Sequence, residues 1–134
     1  MASGFVTYLL ELLVGEATAG LGRASARRMF GGYGLYLGEL MVGLVAADVL
    51  YLKTDSQTKS RFEAAGSRPF EYETSARAKP VVMSYWEAPA DAFEDPQALR
   101  DWLELAHAAA RRAAAARAAR KPRKPRKPRS SGQR

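Results

Sequence analysis

The chain has 134 residues, 47% of them hydrophobic, and a formal net charge of +7, which fits one domain with its own core and leaves no room for two. It contains no cysteine and one histidine, which excludes disulfides and thiol chemistry and argues against a histidine-based zinc site or triad. Residues 1–110 carry ten Lys and Arg against fourteen Asp and Glu, whereas residues 111–134 carry eleven basic residues and no acid. We call residues 1–110 the body, with a net charge of −4, and residues 111–134 the basic segment. Such an asymmetry indicates a polyanionic partner.

The body opens with a predicted amphipathic helix, capped by Ser3 and ending near Gly15. Its apolar residues recur at helical spacing: Phe5, Tyr8, Leu9, Leu12 and Leu13. We do not interpret this run as a signal peptide, because no Lys or Arg precedes it and Glu11 lies inside it. No other stretch approaches the roughly 18 apolar residues of a membrane helix. The sequence therefore predicts a soluble, cytoplasmic protein with no membrane partner, and association with the nucleoid is compatible with it.

An antiparallel meander is predicted for the residues that follow. From Arg27 to Lys53, three apolar and aromatic runs are separated by the two-residue turn signals Gly38-Glu39 and Ala47-Asp48. A short second helix ends at Gly66. Residues 70–73 and 81–86 then form a longer hairpin, which gives a sheet of about five strands.

The glycine-rich stretch 30–34 admits two interpretations. A phosphate loop would need a Lys-Ser/Thr partner and a following helix, and both are missing. A bulge or close backbone approach, with Phe30 and Tyr33 in the core, is the better interpretation. Arg27 and Arg28 just before it form either an exposed anion site or a solvated strand edge.

The last helix is predicted to begin at Asp95-Pro96, an N-cap carboxylate followed by proline. Its apolar stripe of Leu99, Trp102, Leu103 and Ala106 lies on the sheet and is expected to end beyond His107. The residues from 108 to 120 keep high helix propensity without large side chains. We therefore expect this helix to outgrow the body and project into solvent.

The basic segment ends in three Lys-Pro-Arg repeats, residues 121–129. Proline disfavours helix here, so we expect an extended chain whose cations suit a phosphate backbone, with binding driven by counterion release. A solvated tail that only aids solubility is the alternative, and the absence of glycine between the basic residues argues against an AT-hook. The predicted nucleic-acid-binding residues are Arg111, Arg112, Arg117, Arg120, Lys121, Arg123, Lys124, Arg126, Lys127 and Arg129.

No set of residues predicts catalysis, a metal site or a cofactor. Glu71 and Glu73 share one strand face, but alternating charges usually mark the solvated side of a strand. His107 is interpreted as a helix-surface or packing residue. The aromatic residues Tyr72, Tyr85 and Trp86 could stack on bases, yet no Lys or Arg is interleaved with them, which favours packing. The chain is therefore predicted not to be an enzyme.

An ordered series of motifs from about Phe5 to His107 resembles the N-terminal domain of the TfoX/Sxy family. The resemblance implies an α+β domain, helix then sheet then helix, of bacterial proteins associated with the regulation of natural transformation, and it supplies no catalytic residues. Competence regulators of that family typically carry a second, helical C-terminal domain, whereas the basic segment follows the body here. The motifs are residues 27–36, Gly43-Leu44-Val45, residues 50–53, Arg61-Phe62, Gly66-Ser67, Pro69-Phe70 and residues 83–86.

Two functions from different classes follow from the sequence and the resemblance. The first is a non-enzymatic regulatory protein that binds nucleic acid without sequence preference through its basic segment, while the body contacts a protein partner or a second copy. The second is a protein-interaction module whose tail is incidental or binds RNA. Pairing of two chains through an exposed sheet edge stays open.

Overall fold

A computed structural model gives the fold and describes residues 4–29, 31–72 and 81–120. Six strands form one antiparallel sheet in the order β1-β2-β3-β4-β6-β5. The predicted α+β class, with a helix, a sheet and a long last helix, is confirmed. The elements are α1 (Gly4–Leu12), a 3₁₀ turn (Gly15–Ala17), β1 (Ala24–Met29), β2 (Gly32–Leu37), β3 (Leu40–Ala46), β4 (Val49–Lys53), α2 (Lys59–Ala64), β5 (Pro69–Tyr72), β6 (Val81–Glu87), a second 3₁₀ turn (Ala90–Phe93) and α3 (Pro96–Arg120).

The sheet has one strand more than the sequence predicted, because the first apolar run is two strands. The chain reverses inside the glycine-rich stretch, so that Arg27 pairs with Gly34 and Met29 pairs with Gly32. Tyr33 packs against the core as expected, while Phe30 lies outside the described residues. Gly31 therefore lies in the turn of a hairpin, and Gly32 and Gly34 lie in its second strand.

Gly32 explains why a glycine is needed in this hairpin. A Cβ atom at this position would lie 2.2 Å from the carbonyl oxygen of Val45 on β3, which no side chain tolerates. The predicted close backbone approach is therefore confirmed. A register shift between Leu35 and Tyr36 further along the same pairing marks a bulge.

The two turns predicted in the meander are both present. Gly38 and Glu39 connect β2 to β3, and Ala47 and Asp48 connect β3 to β4. Ala47 and Asp48 have φ angles of 51° and 61°, the left-handed values that a two-residue type I′ hairpin requires at both positions.

One face of the sheet, the inner face, carries the core. Leu35 and Leu52 both lie beside Gly43, and Val45 pairs with Leu50, so these side chains project from the same side of the pleat. The helices bury their own apolar residues in the same cluster: Val6, Leu9, Phe62, Leu99 and Leu103. The opposite side of the sheet is the outer face.

Helix α1 buries a different stripe from the predicted one. Val6, Leu9 and Leu13 are buried, whereas Tyr8 is 44% exposed. The sequence periodicity alone did not fix the rotation of the helix, because Phe5, Leu10 and Leu12 are also partly buried against the core. Both flanks of this short helix are apolar, and packing against the sheet selects one of them.

Candidate nucleic-acid interface

Helix α3 begins where the sequence predicted. The backbone N–H of Ala98 donates to Oδ1 of Asp95 at 2.8 Å, which is the bond of an N-cap residue. Pro96 is the first helical residue, a position where the missing N–H costs nothing. A local signal of two residues therefore set the start of the element that carries the basic residues.

Side chains of α3 itself fasten its first half to the two 3₁₀ turns and to the loop that follows the first of them. The Arg100 guanidinium donates to the backbone carbonyls of Glu16, at 3.2 Å, and Ala19. The indole N–H of Trp102 donates to Asp91 at 2.9 Å. These bonds fix the direction in which the helix leaves the body.

The buried stripe of α3 extends further than expected. Ala109 is fully buried and Ala110 is 5% exposed, although the stripe was predicted to end beyond His107. That prediction was wrong because it counted only large side chains. Alanine lets the helix approach the sheet closely, so small residues extend the contact. His107 itself is half-buried, and burial, as the largest cause, lowers its pKa, in line with a packing role.

The end of α3 is exposed to solvent. Every residue from Ala115 to Arg120 is exposed. Within the described residues, Arg111, Arg117 and Arg120 have no carboxylate within salt-bridge distance. At 100° per residue, Arg117 and Arg120 lie about 60° apart on one side of the helix axis, and Arg111 points to the other side. The helix therefore presents these cations on two sides instead of one stripe.

Arg112 is bound to the body. Its Nε donates to Oδ2 of Asp55 at 2.6 Å, and its Nη2 donates to Oδ1 at 3.1 Å. This is the two-pronged geometry in which arginine binds a carboxylate most strongly. Asp55 also accepts from the backbone N–H of Gln57 at 3.0 Å, at the start of the loop into α2. Arg112 thus fastens α3 near the end of its buried stripe. Of the four predicted helix arginines, it is the one that binds a carboxylate within the described part of the chain.

The bond from Arg112 lowers the pKa of Asp55. Because the folded pKa lies below the unfolded value, this carboxylate stabilises the fold above the unfolded pKa, and the contribution disappears as the pH falls through the folded pKa. Asp55→Asn should therefore lower the urea midpoint at pH 7, and its difference from the wild type should shrink once the pH drops below about 4. Urea titrations of both proteins across this range measure the effect.

Asp48→Asn is the matched control for that experiment. The side chain of Asp48 is exposed in the β3–β4 turn, and asparagine tolerates its left-handed backbone. Its urea midpoint at pH 7 should stay close to that of the wild type. If Asp55→Asn had the same urea midpoint as the wild type at every pH, the Asp55–Arg112 bond would add nothing to stability.

The other predicted cations occupy two further places. Arg27 and Arg28 lie on β1, which is an edge strand, and both are exposed. The guanidinium of Arg27 lies 4.5 Å from the centre of the Tyr36 ring, a cation–π distance. The six basic residues of the repeats lie outside the described residues: Lys121, Arg123, Lys124, Arg126, Lys127 and Arg129.

The outer face combines aromatic rings with cations, which the sequence did not suggest. Tyr85 lies on this face, with Nζ of Lys53 5.1 Å from its ring centre, whereas Trp86 packs against the core. The cations and rings come from neighbouring strands, so they interleave across the sheet although they do not alternate along the chain. Burial is the largest cause of a lowered pKa at Lys53, and the positive charge of Arg117 lowers this pKa further.

An apolar groove of about 420 Å³ crosses the same face. Two of its lining side chains pack over Gly34, where a Cβ atom would lie 2.9 Å from the sulfur of Met29 and 3.2 Å from Cε of Met41. Among the described residues, only strands and the β1–β2 turn line it. Sequence reasoning missed this groove, although Met29 and Met41 near a glycine-rich strand are a signal for it. Its lining side chains are Met29, Tyr33, Met41, Leu44, Val45, Ala46, Phe70 and Tyr85.

The described residues hold neither a metal cluster nor a membrane span. Within residues 4–29, 31–72 and 81–120, no three His, Cys, Asp or Glu side chains come together in a way that could hold a metal ion. The helices of this part of the chain lack the length and apolar character needed to cross a membrane. The hydroxyl of Ser84 accepts a 2.9 Å bond from Lys53, and we assign it no chemistry.

Fold and surface together define an α+β domain with one covered sheet face and a last helix whose exposed end carries arginines that have no carboxylate partner among the described residues. The model of the TfoX N-terminal domain matches residues 16–110, most of the chain. The protein therefore belongs to the TfoX N-terminal domain family, as the resemblance implied. That family is not a known enzyme family. A comparison with curated proteins found no match.

Proposed function

We propose that this protein is a non-enzymatic, TfoX-like regulatory protein that binds nucleic acid without sequence preference through residues 111–129. The observation that carries the proposal is the exposed end of α3. Arg117 and Arg120 at this end, and Arg111 before it, have no carboxylate partner among the described residues, and the sequence continues from Arg120 directly into six more cations. When such cations bind a phosphate backbone, they release its counterions, and this kind of binding needs no folded pocket.

The charge of the body supports this division of labour. The body carries a net charge of −4, which repels a polyanion at long range. One of its acids, Asp55, already neutralises Arg112. Binding therefore falls to the exposed end of α3 and to the repeats, while the body is left for contacts with protein.

A salt titration tests the proposal. With about six phosphates engaged by residues 121–129, log K for duplex DNA should fall against log salt with a slope near −5. Unrelated duplexes of equal length should give the same constants, and single-stranded RNA should be measured beside them. Fluorescence anisotropy with labelled oligonucleotides provides the affinities.

Two results would overturn the proposal. A flat salt dependence would show that phosphate contacts do not drive binding. Equal affinity after truncation at residue 110 would place the site in the body. Protein partners that survive both nuclease treatment and the truncation would instead favour the protein-interaction module.

A further inference from the structure

The outer face carries one row of paired residues that runs across five strands. Arg27 pairs with Gly34, Gly34 with Leu44, Leu44 with Tyr51, and Tyr51 with Glu87. The row therefore has a cation at one end, an anion at the other and apolar or aromatic groups between them. Burial raises the pKa of Tyr51, and the negative charge of Glu87, its partner on β6, raises this pKa further. Glu87 therefore lies beside Tyr51 on the outer face.

The two charged ends of the row are too far apart to neutralise each other. Four strand spacings separate Arg27 from Glu87, which amounts to about 19 Å at 4.8 Å per strand. Neither residue has a salt bridge within the part of the chain that the structure describes. Arg28 on the same edge strand is equally exposed, but strand alternation places it on the other side of the sheet.

From this row we infer that the outer face binds a second copy of the same chain, sheet against sheet. A two-fold axis parallel to the strands and passing by Leu44 exchanges β1 with β6 and leaves β3 opposite itself. It therefore places Arg27 of each copy against Glu87 of the second copy. An axis perpendicular to the strands would set Arg27 against Arg27, so the charges select one geometry.

The apolar groove supplies the centre of this interface. Its methionines, Leu44 and Phe70 are half-buried in a groove that no described helix lines, and covering the apolar surface that remains favours association. Methionine side chains adapt to an opposing surface at little cost. The same axis sets β4 against β2, which brings Lys53 towards Tyr36 of the second copy, a cation opposite an aromatic ring. Because each contact occurs twice in a two-fold interface, weak pairs count double.

The inference is independent of nucleic-acid binding and is tested without nucleic acid. Full-length protein is treated with nuclease and freed of bound nucleic acid, and its dimer constant is measured by sedimentation equilibrium. Arg27→Glu alone and Glu87→Arg alone should each raise the dimer Kd by about tenfold, because each sets like charges opposite each other at two sites. The double variant should return close to the wild-type value. Leu44→Lys should be monomeric, with a circular dichroism spectrum like that of the wild type.

Arg28→Glu is the control, since it makes the same charge change on the same strand but on the opposite side. Its dimer constant should equal that of the wild type. A wild-type protein that stays monomeric up to its solubility limit would overturn the inference. Single charge reversals that leave the dimer Kd unchanged would also overturn it. A double variant that dimerises more weakly than either single variant would do so too. Restored dimerisation in the double variant can come only from pairs between copies, because Arg27 and Glu87 of one chain are about 19 Å apart.

Discussion

Replacing Arg123, Lys124, Arg126, Lys127 and Arg129 by glutamine is expected to abolish measurable binding to duplex DNA at physiological salt. Each phosphate contact contributes about 0.9 to the salt slope, so five lost contacts should reduce the slope by about 4.5 and the affinity at 0.15 M salt by about 10³-fold. The prolines stay in place, so the backbone preference of the repeats is unchanged. Anisotropy titrations at several salt concentrations give both quantities.

A second set of five cations separates local binding from net charge. Arg23, Arg28, Lys59, Arg61 and Arg68 are all exposed on the body, and their replacement by glutamine changes the net charge by the same amount. Because screening confines exposed charges to about 8 Å at this salt, we expect the affinity of this variant to stay within about threefold of the wild type. Equal losses in the two variants would mean that overall charge governs binding.

Features set by neighbouring residues were predictable from the sequence. The start of α3 follows from Asp95 and Pro96, whose capping geometry involves only the next three residues. The turn at Ala47 and Asp48 has the same local origin. In both cases the chemistry that fixes the backbone lies within a few residues, so the pattern suffices.

Features that depend on distant pairings were not predictable. Asp55 and Arg112 are 57 residues apart, and nothing in either neighbourhood predicts that they meet. Lys53 and Tyr85 are also far apart in the sequence, yet the pairing of β4 with β6 brings them into contact. Strand register decides which side chains share a face, and a single sequence does not state the register between non-adjacent strands.

The length of the buried stripe on α3 was predicted wrongly for another reason. The prediction ranked residues by size, whereas Ala106, Ala109 and Ala110 are buried because a helix with small residues approaches its neighbour closely. The consequence for function is that the exposed part of α3 is shorter than expected. It begins at Ala115 rather than just after His107, and it contains Arg117 and Arg120 but not Arg111.

Phe62→Ala is expected to lower the free energy of unfolding by about 3–5 kcal/mol, the usual cost of removing a buried ring from a core. Phe62 is fully buried, and its ring centre lies 4.9 Å from that of Trp102 on α3. Helix α2 has only six residues, too few to be stable without this contact. The melting temperature should fall by at least about 12 °C, measured by circular dichroism and by tryptophan fluorescence.

Tyr8→Ala is the matched control, since it also removes an aromatic ring, but one that is 44% exposed. It should lower the free energy of unfolding by less than about 1 kcal/mol, and equal losses at the two positions would contradict the assignment of Phe62 to the core.

Phe62→Ala also tests whether nucleic-acid binding by the basic segment depends on the folded body. This variant weakens the packing of α3 without changing any cation, and phosphate binding by residues 121–129 needs no folded pocket. We therefore expect this protein to keep the wild-type salt slope even where its body is partly unfolded, and a slope that is lost together with the fold would transfer the binding site to the body.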